Sequence, residues 1–185
     1  MLPLLDAKLL EMIKNPKTRD KGFEILIDTY QKRVYGMVRK MVIIHEDADD
    51  VVQEIFIKAF KNIHKFSGNS SLFTWMYRIA VNESLNFLEK KKKRSFSSIE
   101  EHHEFLKSYL DQSPYIDGDE IQRQLQKAIL KLPEKQRLIF NLRYYEELSY
   151  EEISKMTDTT VGGLKAGYHH AAKKIEEFMK GTVNL

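Results

Sequence analysis

No cysteine occurs among the 185 residues. That absence excludes a disulfide scaffold, a Cys-ligated zinc site, an iron–sulfur cluster and a thiol nucleophile. No stretch approaches the ~18 consecutive apolar residues of a membrane span. The apolar residues of the N-terminus are interrupted by Asp6, Lys8, Glu11 and Lys14, which argues against a signal peptide as well. No alternating strand pattern competes with the helical ones, there is no internal repeat, and the one low-complexity run is the basic Lys90 to Arg94. A soluble, cytoplasmic protein without membrane insertion, metal or cofactor is the expectation.

What is present suffices to fold. Hydrophobic residues make up 42% of the chain and charged ones 31%, enough apolar surface for one medium domain or two small ones. The net charge of +3 conceals three unlike segments. Residues 1–94 carry 18 basic against 12 acidic residues, residues 95–119 one basic against six acidic, and residues 120–185 eleven against nine. The middle segment also holds Ser95, Ser97, Ser98, Ser108, Ser113, Pro114 and Gly118. Its composition suits an acidic linker between two modules, with an ordinary surface loop as the alternative.

Helical periodicity dominates the two flanks. Ala48, Val51, Val52, Ile55, Phe56, Ala59, Phe60 and Ile63 fall on one side of a helix and predict a core face. On the outward side, Ile57 stands among Asp50, Glu54 and Lys61, the pattern of a protein contact. Asp47, Asp49, Asp50 and Glu54 lack a histidine at ligand spacing, so a solvated or partner-binding face is favoured over a metal cluster. Further helices are predicted at Phe23–Ile44, Leu72–Lys92, Ile121–Lys131, Glu134–Tyr145, Tyr150–Met156 and Val161–Met179. The fold class is therefore all-α, with a helical bundle followed by a smaller helical module.

In that second module Ser149 precedes Tyr150-Glu151-Glu152, the spacing of a capping box. The short helix it opens ends near Thr157-Asp158, and Thr159 or Thr160 can cap a longer helix from Val161. Val161, Leu164, Tyr168, Ala171 or Ala172, Ile175 and Phe178 form the buried stripe of that helix. Gly162, Gly163, Lys165, Ala166, His169, His170, Lys173 and Lys174 lie opposite. A short capped helix, a tight turn and a longer helix with small residues at its start is the outline of a DNA-binding helix-turn-helix. An αα-hairpin with a wet face is the alternative. His169 and His170 are adjacent and diverge by ~100°, so they cannot make an i,i+4 zinc pair.

The first module offers chemistry for unpaired nucleic acid. Lys65-Phe66-Ser67-Gly68-Asn69-Ser70-Ser71 is a polar loop opening on an aromatic residue. In the helix that follows, Arg78 and Asn82 share a face, and the helix ends in Lys90-Lys91-Lys92-Lys93-Arg94. Bases stack on rings or enter polar pockets while cations track the backbone. Phe73 and Trp75 read better as core, and the basic run also suits a helix C-terminus.

These residues resemble the extracytoplasmic-function (ECF) sigma factors, the smallest members of the housekeeping-sigma superfamily. Asp47-Ala48-Asp49-Asp50-Val51-Val52-Gln53-Glu54-Ile55-Phe56-Ile57-Lys58-Ala59-Phe60 is similar to their polymerase-binding helix. The stretch from Phe66-Ser67-Gly68 through Phe73-Thr74-Trp75-Met76-Tyr77-Arg78-Ile79-Ala80-Val81-Asn82 resembles their minus-ten recognition segment. Leu132-Pro133-Glu134-Lys135-Gln136-Arg137, Leu148-Ser149-Tyr150-Glu151-Glu152-Ile153 and Val161-Gly162-Gly163-Leu164-Lys165 resemble their fourth conserved region. Together the motifs cover about residues 22–94 and 121–179.

The resemblance implies a non-enzymatic promoter-specificity subunit. Residues 1–94 would be sigma region 2, 95–119 the linker and 120–185 region 4. Asp49, Asp50, Gln53, Glu54 and Ile57 would meet core RNA polymerase. Phe66, Asn69, Ser70 and Asn82 would capture a flipped minus-ten base, with Arg78, Lys90, Lys91 and Lys92 on backbone. Gly163, Lys165, Ala166, His169 and His170 would read the minus-thirty-five element, with Lys173 on phosphate. An anti-sigma factor is a further implied partner. Gly167, His170 and Ala172 stand where the family often has arginines, and Asp158 stands where the turn usually has glycine. Two other classes remain open from the residues alone: a stand-alone helix-turn-helix regulator, and an adaptor or carboxylate hydrolase using the Asp47 to Glu54 cluster.

Overall fold

The computed structural model describes residues 4–95, 104–106, 108 and 120–182. Its elements are α1 (Leu4–Lys14), α2 (Arg19–Val42), α3 (His45–Asn62), a 3-10 turn (Ile63–Lys65), α4 (Leu72–Ser95), α5 (Glu120–Leu130), α6 (Glu134–Tyr144), α7 (Tyr150–Thr157) and α8 (Val161–Thr182). The all-α expectation holds, and each predicted helix is present with its ends shifted by a few residues. The chain divides into two compact units: Met1–Ser84 with Lys155–Thr157, and Leu85–Ser154 with Asp158–Leu185. Most of the acidic segment, including Glu101, His102 and His103, lies outside the described residues. Within it Leu106 is buried and Phe105 exposed, so at least one of its residues is not solvated.

Helix α1 is an element the sequence reading did not anticipate. Leu9, Leu10 and Ile13 recur at helical spacing and are all buried, a stripe just long enough to seat α1 on α2. The approach is close because Gly22 of α2 is buried, and a Cβ there would stand 2.9 Å from Ile13 Cγ1 and 3.0 Å from the Ile13 backbone nitrogen. Helix α2 presents Phe23, Leu26, Tyr30, Val34, Met37, Val38 and Met41 inward and packs its other flank on α3. The two are joined tightly at Ile43, whose φ of 74° is strained for a β-branched residue. Its side chain is only 4% exposed, and that burial holds the turn.

On α3, Ala48, Val51, Val52, Ile55 and Ala59 are buried as predicted. Phe56 and Phe60 sit at the margin of that face, with Phe60 exposed to 36%. Phe60 meets Phe23 edge-on at 4.8 Å and lies beneath the Arg19 guanidinium at 4.3 Å, so cation–π contact replaces full burial there.

In the second unit α8 packs on α5 and α6. Ala128, Ile129, Leu132, Phe140, Ala171 and Ile175 form a continuous cluster, and Tyr168 stacks on Phe140 at 5.8 Å. Leu164, Ala171 and Ile175 of the predicted stripe of α8 are buried, while Val161, Tyr168, Ala172 and Phe178 are half-buried. Gly167 is not part of an outer, phosphate-facing set. A Cβ there would stand 2.7 Å from Ile139 Cδ1, so this glycine marks the close approach of α8 to α6, and a larger residue there would require the end of the Ile139 side chain to move.

Candidate functional site

Three solvent-facing surfaces carry the residues singled out from the sequence. The first is the outer side of α3. Asp49, Asp50, Gln53 and Glu54 are all exposed, and Ile57 is exposed to 40%. Lys58 is drawn aside: its Nζ donates to Glu83 Oε2 at 2.5 Å and lies 3.8 Å from Glu54 Oε1. Asp49 Oδ2 lies 3.7 Å from His45 Nδ1, so these carboxylates do have one histidine at i,i+4 spacing, contrary to the expectation from the sequence. The surface is therefore acidic with an apolar centre, and among the described residues no His, Asp or Glu group has metal-site geometry.

The second surface surrounds the loop before α4. The 3-10 turn ends at Phe66, whose N–H donates to Ile63 O at 3.1 Å. Gly68 follows at φ 78°, a left-handed conformation that glycine adopts without penalty. Phe66 differs from its expected role. It is 6% exposed and its ring centroid lies 5.5 Å from that of Trp75, so it is packed as a wall of the loop rather than held out as a stacking platform. Asn69 is exposed and Ser70 half-exposed.

The start of α4 is held from two directions. Ser71 Oγ accepts the N–H of Thr74 at 3.1 Å, and Asp6 Oδ2, arriving from α1, accepts the N–H of Leu72 at 2.8 Å. Both satisfy amides that a helix N-terminus leaves without internal partners, and the carboxylate complements the helix dipole. Asp6 is itself only 7% exposed and adjoins the Tyr30 hydroxyl, whose pKa is pushed up to about 12 by burial first and by the Asp6 charge second. Sequence inspection missed this clamp. Its one signal was the helical spacing of Leu9, Leu10 and Ile13 around an acidic residue.

Further along α4, Arg78 and Asn82 are exposed on one face and Lys90 is exposed, while Lys91 and Lys92 are half-exposed. Phe73 and Trp75, read as core, are only half-buried; Phe73 lies beneath the Arg33 guanidinium at 4.4 Å. Lys93 pairs with Glu89 at 2.6 Å, which leaves Lys90 as the more available cation.

The third surface is the helix-turn-helix. Ser149 Oγ accepts from the N–H of Glu152 at 3.2 Å, and the Ser149 N–H donates to Glu152 Oε2 at 2.8 Å, completing the predicted capping box. Asp158 adopts the left-handed conformation at φ 53°. Thr160 Oγ1 then accepts from Gly163 N–H at 3.2 Å, which settles the choice of cap for α8 in favour of Thr160. Gly163, Lys165, Ala166, His169, His170 and Lys173 are all exposed and follow one another along the outer side of α8. Lys174 is turned away, donating to Gln136 Oε1 at 3.1 Å.

A two-part helical chain with a capped helix-turn-helix and a polar loop beside a basic helix defines a DNA-directed transcription protein. The sigma-70 region 2 family matches residues 26–94 and the sigma-70 region 4 family residues 122–175. The RNA polymerase sigma-H factor of Pseudomonas aeruginosa is 32% identical over 183 residues, covering 95% of this chain and 94% of that one. The ECF RNA polymerase sigma-E factor of Escherichia coli is 35% identical over 181 residues, covering 94% and 93%. Among solved structures, CnrH in complex with the cytosolic domain of CnrY is similar in fold, with a TM-score of 0.70, 17% identity and coverage of 96% and 99%. The sigma factor RpoE in complex with the anti-sigma factor NepR, from Bartonella quintana, gives 0.66, 19%, and 88% and 99%. The chain belongs to the ECF group of the sigma-70 family, whose members are transcription initiation factors.

Proposed function

We propose that the chain binds core RNA polymerase, directs it to promoters carrying two recognition elements, and assists strand opening, without being an enzyme itself. Residues 1–94 form the polymerase-binding and minus-ten module, 95–119 the connector and 120–185 the minus-thirty-five module, working in the cytoplasm. The observation that carries the reading is the occurrence of both sigma-70 regions in order.

Asp49, Asp50, Gln53, Glu54 and Ile57 dock on polymerase, an apolar centre in an acidic rim. Asn69, Ser70 and Asn82 hold an unpaired base while Arg78 and Lys90 to Lys92 follow its backbone. Gly163, Lys165, Ala166, His169 and His170 enter the major groove, with Lys173 on phosphate. Isolated DNA affinity is modest, because two small modules must be ordered before they act together. An anti-sigma partner is supported by the solved relatives, two of which are described with CnrY and with NepR.

Run-off transcription with purified core polymerase is the test. The wild type is expected to co-purify with core and initiate at a cognate promoter, and Ile57→Arg to lose both while remaining folded. Failure of the wild type to bind core would overturn the reading.

A further inference from the structure

Helix α3 makes its close backbone approach to α2, and toward α4 it reaches out by a long side chain. Lys58 of α3 donates from Nζ to Glu83 Oε2 of α4 at 2.5 Å, across 25 residues of chain. The Glu83 side chain is only 15% exposed, and a carboxylate so far out of water needs a cation beside it. Among the described residues no other cation reaches it. Glu54 Oε1 lies 3.8 Å from the same Nζ, but that side chain is 50% exposed and has water as an alternative. Of the two carboxylates, Glu83 is the one that depends on Lys58.

The pair sits where the orientation of α4 is decided. The first turns of α4 are anchored already: Leu72 N–H donates to Asp6, the Arg33 guanidinium lies 4.4 Å from the Phe73 ring centroid, and Tyr77 Oη donates to Arg33 O at 3.4 Å. Each residue advances a helix by ~1.5 Å, so Glu83 is a second anchor ~16 Å beyond Leu72. Between them Ala80 and Val81 are buried, yet apolar contact is non-directional, whereas a hydrogen-bonded ion pair fixes a direction. Successive side chains leave a helix ~100° apart. With Glu83 drawn onto α3, its neighbour Asn82 faces outward together with Arg78, and both are exposed. A roll of α4 by ~30° would carry a side chain on a ~5 Å radius sideways by roughly 3 Å, about the length of a hydrogen bond.

We propose that Lys58 is a positioning residue for strand capture: by holding Glu83 it sets the roll of α4 that presents Asn82 and Arg78 to the unpaired strand, touching neither nucleic acid nor polymerase itself. The inference rests on the function proposed above, and the experiment separates the two. Holoenzyme assembled from core polymerase and the full chain is titrated with a single-stranded oligonucleotide carrying the minus-ten element, and core affinity is measured in parallel. Lys58→Met keeps the length of the side chain and removes its charge. It is expected to weaken oligonucleotide binding by about fivefold to twentyfold, within the span of couplings between contacting residues. Core affinity stays within about twofold of wild type, the scale of an exposed ion pair. Lys58→Arg, which keeps the cation, is expected to bind the oligonucleotide as the wild type does. A chain already carrying Arg78→Ala and Asn82→Ala tells positioning from general stabilisation: adding Lys58→Met there is expected to weaken binding no further. An additive loss in that background, wild-type oligonucleotide binding by Lys58→Met, or a loss of core affinity as large as the loss of oligonucleotide binding overturns the positioning role and leaves the proposed function intact. A wild type that never binds core removes both.

Discussion

Asp6 of α1 reaches across 66 residues to accept the backbone N–H of Leu72 at 2.8 Å, the first amide of the helix that carries Arg78 and Asn82. Helix α1 is thereby part of the loop's support. Replacing Asp6 with Ala leaves a buried amide unsatisfied and is expected to cost about 1–3 kcal/mol. Asp6→Asn keeps an acceptor and loses only the charge–dipole part, about 0.3–1 kcal/mol. Urea unfolding followed by the fluorescence of Trp75, the single tryptophan, reads both. Equal midpoints for wild type and Asp6→Ala would mean the cap contributes nothing.

Tyr30, packed beside Asp6, links this region to pH. Its folded pKa of about 12 lies above the ordinary tyrosine value of 10.0, so the folded chain holds the phenol proton more tightly than the unfolded one. The stabilisation is complete below pH 10 and is lost as pH rises through 12, where the unfolded state binds fewer protons. The unfolding free energy of the wild type should fall between pH 9.5 and 11.5 more steeply than that of Tyr30→Phe, by on the order of 1–2 kcal/mol. Parallel profiles for the two proteins would refute the assignment.

Two glycines of α2 make a paired test of how α1 docks. Alanine favours a helix over glycine by ~1 kcal/mol. At Gly36 nothing lies within 4 Å of a new Cβ, so Gly36→Ala is expected to raise the urea midpoint. At Gly22 the methyl would press on Ile13 backbone and Met12 Cβ, both at 3.0 Å, so Gly22→Ala is expected to destabilise by about 1–3 kcal/mol. The same sign of shift at both sites would contradict the close approach.

Phe66 tests whether loop aromaticity serves stability or ligand contact. Because the ring is buried against Trp75, Phe66→Ala should cost about 3–5 kcal/mol of stability, and Phe66→Leu, which retains most of the apolar volume, much less. Circular dichroism melts compare them. An Ala variant as stable as the wild type would indicate that the ring is not a wall of the fold.

Much of this was legible along the chain. The inward stripe of α3 from Ala48 to Ala59 follows from 3.6-residue periodicity, and the Ser149–Glu152 box and a threonine cap on α8, at Thr159 or Thr160, follow from local chemistry within a few residues. Asp49, Asp50, Gln53, Glu54 and Ile57 were placed outward because the opposite face was so clearly apolar. The burial of Phe66 was not legible in the same way. A ring beside serines and glycine looks exposed until its contact with Trp75 is known, and α1, with three inward residues broken by charges, gave too short a pattern to read.

The amino-acid sequence by itself determined every helix but α1, the Ser149 cap, the order of the two sigma regions and the outer faces of α3 and α8, since each depends on side chains within a turn or two of one another. Only the tertiary structure decided what distant segments do together. The Asp6–Leu72 hydrogen bond, the Gly22–Ile13 and Gly167–Ile139 approaches and the burial of Phe66 arise from packing. No local periodicity records which helix comes to lie against which.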